Sequence, residues 1–320
     1  MSTQQPCILA LIGPTASGKT DLAIRLASRF PLSLISVDSV CIYRRMDIGT
    51  SKPSRAVRAQ YPHALVDILE PEESFTASEF VDLADAEIQI ALQQGKTPLL
   101  VGGTMLYFKA FREGLTLLPS RDEEFRKKLR QEKERLGSPV LHARLREIDP
   151  VTSERIHPNN YSRIERALEV HAISGQSLSH WIENQPSQPV QVRHKSRYVE
   201  FGLDQLERAT LHARIETRLD EMIDNGFVDE VQELQKRPNL NAECTSMKAV
   251  GYSQLWRSLK TQPDRPYDNE TREEILAATR QLARRQLTWM RSWRKVESYT
   301  SISDQTGYEC LEQIFCDLGL

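Results

Sequence analysis

The octapeptide Gly13-Pro14-Thr15-Ala16-Ser17-Gly18-Lys19-Thr20 fits the spacing G-x-x-x-x-G-K-[ST]. In such a loop the backbone N–H groups turn inward around phosphate oxygens, and the helix that follows adds its dipole. Lys19 supplies a point charge to the outer phosphate, and the Thr20 hydroxyl is placed to hold Mg²⁺. The loop specifies a diphosphate; it does not specify a nucleotide. Two further apolar runs end in polar groups, Ser36-Val37-Asp38-Ser39 and Val101-Gly102-Gly103-Thr104. Position alone leaves Asp38 three roles: helix cap, Mg²⁺ ligand or proton acceptor. Two glycines before Thr104 let backbone approach a ligand, with a hydroxyl beside it; a turn capped by Thr104 fits equally. No acid stands where nucleotide kinases and ATPases often carry a Walker-B carboxylate, which weakens an ATPase reading. The polar stretch Tyr43–Pro53 suits a substrate surface or an ordinary turn.

These residues need a scaffold, and the apolar patterning supplies one. Cys7–Ile12, Leu32–Val37 and Thr97–Val101 read as buried strands. Helices are expected at Asp21–Phe30 and at Thr76–Gln94, where Thr76 and Glu79 form a capping box and Gly95 stops the run. Strands alternating with helices predict a parallel sheet flanked by helices, an α/β P-loop core with ligands at the carboxyl ends of its strands. From Ser120 the texture becomes charged and helical: 120–137, 138–148 and 161–174. The turn-rich stretch 185–189 then leads to a strand at Arg197–Leu203. Residues 120–196 therefore read as an all-helical insertion, with the core in 1–119 and 197–320. Long helices are expected at Gln205–Asn225 and Thr271–Lys295.

On the first of these, Arg218 borders the apolar stripe Leu211, Ile215, Leu219 and Met222. Such an arginine either snorkels or is held toward a buried anion. From Arg280 to Lys295 the second carries Arg280, Arg284, Arg285, Arg291, Arg294 and Lys295 with no acid, and Trp289 and Trp293 beside them. That is a solvated face or an RNA-backbone surface. The chain as a whole has a formal net charge of −2, so any nucleic-acid surface must be local. Five cysteines without a C-x-x-C pair suit a reducing compartment. The apolar run at Cys7–Ile12 is too short to span a membrane and lacks the flanks of a signal peptide. The expected address is the cytoplasm. No His/Cys cluster has metal-ligand spacing, so Mg²⁺ is the only metal expected.

Taken together, the motifs closely resemble bacterial tRNA dimethylallyltransferases, also called tRNA isopentenyltransferases. GPTASGKT at 13–20, DS with IYRRMDIGTSKP within 38–53 and VGGTMLYFKA at 101–110 carry the likeness. SRIERALEV at 162–170, ARIETRL at 213–219, KAVGY at 248–252 and TRQLARRQLTWMRSW at 279–293 extend it across most of the chain.

The resemblance implies a P-loop fold that binds dimethylallyl diphosphate. The prenyl group is expected to move to N6 of the adenine 3′ of the anticodon, in tRNAs reading codons that begin with U. By the same resemblance Asp38 is the general base, Thr104 meets the bridging oxygen of the leaving diphosphate, and Arg218 balances its charge. Segments matching tRNA contacts are Asp38-Ser39-Val40-Cys41, Ser162-Arg163-Ile164-Glu165-Arg166, Lys248-Ala249-Val250-Gly251-Tyr252-Ser253 and Arg284-Arg285-Gln286-Leu287-Thr288-Trp289-Met290-Arg291. The insertion corresponds to a domain that grips the tRNA anticodon stem-loop, and a monomer is expected. Val40 and Cys41 replace a more usual pair, which bears on contacts to the flipped base. A small-molecule kinase would leave the basic helix without purpose. A non-catalytic RNA-binding module would leave the P-loop without one.

Overall fold

Six strands among the described residues form one all-parallel sheet in the order β3-β2-β4-β1-β5-β6. They are β1 (Cys7–Ile12), β2 (Leu32–Val37), β3 (His63–Ala64), β4 (Thr97–Gly102), β5 (Arg197–Gln205) and β6 (Tyr299–Ser303). The computed structural model describes residues 5–116, 118–185, 187–303 and 307–319. Helices in the first part of the chain are α1 (Lys19–Ala27), α2 (Arg55–Gln60), α3 (Ala77–Gln93) and α4 (Met105–Glu113). Six follow before β5: α5 (Glu123–Leu136), α6 (Ser138–Ile148), α7 (Pro150–Arg155), α8 (Tyr161–Ser174), α9 (Leu178–Asn184) and α10 (Val190–His194). The last are α11 (Arg208–Asp224), α12 (Phe227–Gln235), α13 (Tyr252–Thr261), α14 (Asn269–Trp293) and α15 (Gly307–Asp317).

The central strands are apolar on both faces because helices cover both. Leu9, Leu11, Leu34 and Leu99 pack with Leu22 and Leu26 of α1 and Phe315 of α15. On the other face Ile8, Ala10, Ile35 and Leu100 meet α3, α4 and α14. A third cluster joins α11 to α14 and includes Ile42, Tyr43 and Met46 from the segment after β2. Register aligns the ligand edge: Gly102 pairs with both Ile12 and Val37, so the phosphate loop, Asp38 and Thr104 leave the sheet side by side. The Thr76–Glu79 capping box is present, and Gly95 ends the helix at a positive φ of 69°.

The chain divides into two compact units, Met1–Arg112 with Val190–Leu320 and Glu113–Pro189. The insertion expected at 120–196 is thus shifted: it opens at Glu113 and closes at Pro189. Residues 190–196 belong to the core for a physical reason. Val190 is fully buried in its main cluster, and Arg193 grips Asp85 of α3 at 2.9 Å and the Phe111 carbonyl at 3.1 Å. The turn-rich stretch 185–189 includes residue 186, which lies outside the described residues. The inserted unit has its own core of Leu129, Leu141, Leu145, Ile164 and Leu168. Among the described residues no helix is long and apolar enough to cross a membrane.

Candidate active site

The phosphate loop turns sharply between β1 and α1. Ala16 and Gly18 hold positive φ of 61° and 81°, and the first turn of α1 leaves amides without intrahelical acceptors. Lys19 Nζ donates to the Pro14 carbonyl at 3.2 Å. From the far end of the chain Gln286 of α14 locks the loop: its Oε1 accepts from Thr15 N–H at 2.9 Å and its Nε2 donates to the Gly103 carbonyl at 2.8 Å. The glycines after β4 are required by this closeness. A Cβ on Gly103 would lie 2.6 Å from Gln286 Nε2 and 2.9 Å from the Gly13 carbonyl oxygen, and one on Gly102 would collide with the Val37 carbonyl. No carboxylate side chain fits where a Walker-B acid would stand.

Asp38 Oδ1 accepts from the amides of Val40 at 2.8 Å and Cys41 at 3.0 Å, which caps the turn and fixes the carboxylate. Among the described residues Oδ2 has no such partner. Thr104 Oγ1 accepts from Ser39 N–H at 3.0 Å. Its hydroxyl therefore reaches across to the β2 edge. Arg218 does not snorkel. Its guanidinium donates to Thr15 Oγ1 at 3.0 Å, Ser51 Oγ at 2.9 Å and the Thr50 carbonyl at 3.2 Å, and no carboxylate of the described residues is bonded to it. Burial and the nearby Arg218 charge pull Lys19 down to about 8, while Asp38 and Cys41 act the other way. Burial, reinforced by Asp38, pushes the Cys41 thiol up, so it stays a thiol. Two cations without paired acids form a ready anion site.

The polar stretch after Tyr43 is built around a single carboxylate. Glu230 of α12 accepts from the amides of Asp47 at 2.7 Å, Ile48 at 2.7 Å and Gly49 at 3.1 Å, and from the Tyr252 hydroxyl at 2.6 Å. Lys52, nearly fully buried, pairs with Asp47 at 2.9 Å and Asp67 at 2.6 Å. Thr50 and Ser51, which hold Arg218, lie between these two anchors. A cavity of about 190 Å³ opens from the loop, lined by the polar residues Lys19, Thr20, Asp38 and Arg218 and by the apolar residues Ile215, Leu219, Met222, Phe227, Val250 and Ile275. A wider groove lies against the outer side of the same loop, with Gly18, Asp21, Arg25 and Tyr308 on its walls.

The family model described as IPP transferase matches residues 41–293, and one described as isopentenyl transferase matches 6–61. The chain belongs to the IPP transferase family. Its members are transferases, and this chain is an enzyme. It is similar to the full-length tRNA isopentenylpyrophosphate transferase of Bacillus halodurans, 32% identical over 98% of this chain and 96% of that one, with a TM-score of 0.66. It is also similar to the tRNA delta(2)-isopentenylpyrophosphate transferase of Staphylococcus epidermidis, 31% identical over 98% of this chain and 100% of that one, with a TM-score of 0.64. A eukaryotic dimethylallyltransferase acting on tRNA shares the fold at 22% identity, with a TM-score of 0.77 over 95% of this chain and 76% of that one.

In this member of the IPP transferase family the four segments matched to RNA contacts divide by burial. Arg284, Arg285 and Arg291 are exposed and have no ion-pair partner among the described residues, whereas Arg280 pairs with Glu216 and Arg294 with Asp204 at 2.9 Å. Gln286 and Met290 face inward, and Trp293 is core, capped by the Arg112 guanidinium 4.6 Å from its ring centre. The aromatic side of the expected basic surface is therefore corrected: Trp293 supports the sheet, and half-buried Trp289 meets it edge-on at 5.9 Å. Ser162 and Arg163 are exposed, while Ile164 and Glu165 are buried and Arg166 is drawn to Glu169 at 2.6 Å. Lys248 is exposed; Ala249, Val250, Gly251 and Tyr252 line the cavity, and Ser253 is half-buried. Val40 and Cys41 line it too. Glu230 escaped sequence reading because three of its partners are backbone amides, which a sequence does not display, and the fourth is the hydroxyl of Tyr252 on another helix.

The residues fit Mg²⁺. Among the described residues no group of three His, Cys, Asp or Glu side chains could hold a metal. Mg²⁺ takes few protein ligands and relies on waters and substrate phosphates, and Thr20 opens α1 on the cavity wall.

Proposed function

We propose that this chain transfers a dimethylallyl group from dimethylallyl diphosphate to N6 of the adenine 3′ of the anticodon, in tRNAs reading codons that begin with U, and releases diphosphate. One observation carries the reading. One cavity is lined by the phosphate loop with two cations that no carboxylate of the described residues pairs, Lys19 and Arg218, by the apolar side chains Ile215, Leu219, Met222, Phe227 and Ile275, and by Asp38. A diphosphate needs the first, a prenyl chain the second and an amine nucleophile the third.

The chemistry follows from the residues. N6 of adenine is a poor nucleophile because its lone pair is delocalised into the ring, so a base that removes its proton during attack speeds transfer. Asp38, with Oδ1 tied to two amides, holds Oδ2 for that proton. Negative charge grows on the diphosphate as the C–O bond breaks. Lys19, Arg218 and the loop amides stabilise it there, and the Thr104 hydroxyl donates to the bridging oxygen. Thr20 would hold Mg²⁺, which neutralises charge on the diphosphate. The adenine must leave its stack to enter a cavity inside the protein, and apolar walls keep water from the allylic carbon. Exposed Arg284, Arg285 and Arg291 suit the RNA backbone, and Arg163 gives the inserted unit a cation toward the anticodon stem-loop. A cytoplasmic monomer is the working form in this reading, and light scattering in solution tests the monomer.

The deciding experiment supplies unmodified tRNA, dimethylallyl diphosphate and Mg²⁺, and reads the nucleosides by mass spectrometry. Appearance of N6-dimethylallyladenosine supports the reading; phosphoryl transfer to a small acceptor without tRNA sinks it. Asp38→Asn should lower the single-turnover rate by about 10²–10⁴-fold at any Mg²⁺ concentration, the span of a lost general base. Rescue by excess Mg²⁺ would reassign Asp38 to the metal.

A further inference from the structure

His63 lines the same cavity as Lys19, Thr20, Ser36 and Asp38, and the mechanism above makes no use of it. Strand register explains its place. Parallel pairing sets His63 of β3 opposite Leu34 of β2, so both side chains share a face of the sheet. Alternation continues that face from Leu34 to Ser36 and Asp38. Leu34 packs in the cluster beneath α1, the helix that opens with Lys19 and Thr20. His63 thus stands on the α1 side of the cavity wall, back from the strand ends where Asp38 emerges.

Hydrogen bonding fixes which ring nitrogen carries the proton. Nδ1 lies 2.7 Å from the Tyr61 carbonyl oxygen, which can only accept, so Nδ1 is the donor. In the neutral ring Nε2 is then a bare acceptor. Burial, the largest influence, holds the ring below its ordinary pKa and favours that neutral form. Nε2 is shielded from solvent, and no donor of the described residues reaches it. An unpaired buried acceptor is costly, so Nε2 is paired either by water in the cavity or by a donor of the loaded site.

The donor follows by elimination, given the transfer reading on which this inference rests. An ionised dimethylallyl diphosphate has no N–H or O–H. Two donors belong to the reacting groups, the N6 amino group of the adenine and the polarised waters that Mg²⁺ retains, and ordinary water is the alternative that the titration in EDTA separates. The amine must meet Asp38 at the strand ends, whereas His63 pairs with β2 further back, on the side of Thr20. We propose that His63 Nε2 accepts a hydrogen bond from a water of the Mg²⁺–diphosphate complex and so positions that complex against Thr20 and the phosphate loop. His63 is then a positioning residue acting through water.

Calorimetric titration of inorganic diphosphate into the full-length protein tests this without tRNA or turnover, once with saturating Mg²⁺ and once with EDTA. His63→Phe removes the acceptor and keeps an aromatic ring; His63→Gln returns an amide oxygen close to the Nε2 position. With Mg²⁺ the Phe variant should bind diphosphate about 10-fold more weakly, as for a lost outer-sphere partner. In EDTA it should match wild type, and His63→Gln should recover most of the loss. An equal loss in both conditions would make His63 a mere wall. No loss with Mg²⁺ would also overturn the proposal, and a slowed single turnover beside it would assign Nε2 to the N6 amine. Should His63→Phe not fold, as judged by circular dichroism, His63→Leu removes the same acceptor. Because no tRNA takes part, failure here is distinct from failure of the transfer reading, which nucleoside analysis decides.

Discussion

Binding of dimethylallyl diphosphate should draw a proton onto Lys19 at alkaline pH. Burial and Arg218 hold this amine at about 8 against an ordinary 10.5. At ~1.36 kcal/mol per pKa unit, the free site disfavours the ammonium by about 3 kcal/mol. A diphosphate beside it favours the charged form and lifts the pKa again. With a free-site value of about 8, roughly a tenth of the protein lacks this proton at pH 7 and about nine-tenths lacks it at pH 9. Uptake on binding should therefore be about 0.1 proton at pH 7 and about 0.9 at pH 9. Affinity should be flat between about 6 and 8 and fall about tenfold per unit above that. The last proton of the ligand's phosphates leaves near pH ~6, so the uptake belongs to the protein. Calorimetry in two buffers of different ionisation enthalpy, at each pH, counts the protons. Lys19→Met should abolish the uptake. A value near zero at pH 9 in wild type, or uptake that persists in Lys19→Met, would refute the reasoning. Folding has the opposite sign: between about 8 and 10.5 the unfolded chain holds more protons on Lys19, so its contribution to stability rises with pH there.

Glu230→Gln leaves an amide N–H facing backbone N–H donors and should cost roughly 1–3 kcal/mol in urea unfolding. It should also raise KM for dimethylallyl diphosphate through Thr50 and Ser51, with tRNA affinity unchanged; an unchanged KM would confine Glu230 to a structural part. Replacing Arg284 and Arg291 by Ala should weaken tRNA binding and flatten its salt dependence by about 0.9 per lost phosphate contact in a duplex and about 0.7 in a single strand. An unaltered slope returns that face to simple solvation. Thr104→Ala should slow single-turnover transfer by about 10²–10³-fold, the loss of one donor aimed at developing charge; a wild-type rate would leave Thr104 with only its Ser39 contact.

Legibility followed the range of the forces involved. The phosphate loop, the Thr76 capping box and the apolar strands are local, and their residues announce them. Arg218 was ambiguous because bordering an apolar stripe is compatible with either fate; Thr15, 203 residues away, decides it. β3 has two residues, too few for any period. α12 and α13 were open to detection: Phe227, Val231 and Leu234, then Leu255, Trp256 and Leu259, repeat at helical spacing. On α14 the spacing of cations was visible, but which side met the sheet was not, and that choice turned Trp293 inward. Gln286 stood among residues matched to RNA contacts, and only tertiary packing turned it onto Thr15 and Gly103.

That glutamine makes α14 a beam loaded on one side and pinned on the other. Its outer edge carries Arg284, Arg285 and Arg291; its inner edge ties the phosphate loop at Thr15 by a bond of 2.9 Å to the turn after β4 at Gly103 by one of 2.8 Å. Hydrogen bonds weaken steeply once their geometry is lost. A tilt of the beam that pulls Gln286 away frees Thr15, and Thr15 also holds Arg218. A polyanion resting on the outer edge therefore presses on the same rigid member that sets the shape of the anion cradle. One 25-residue helix thus joins the cationic edge and the phosphate loop in a single element.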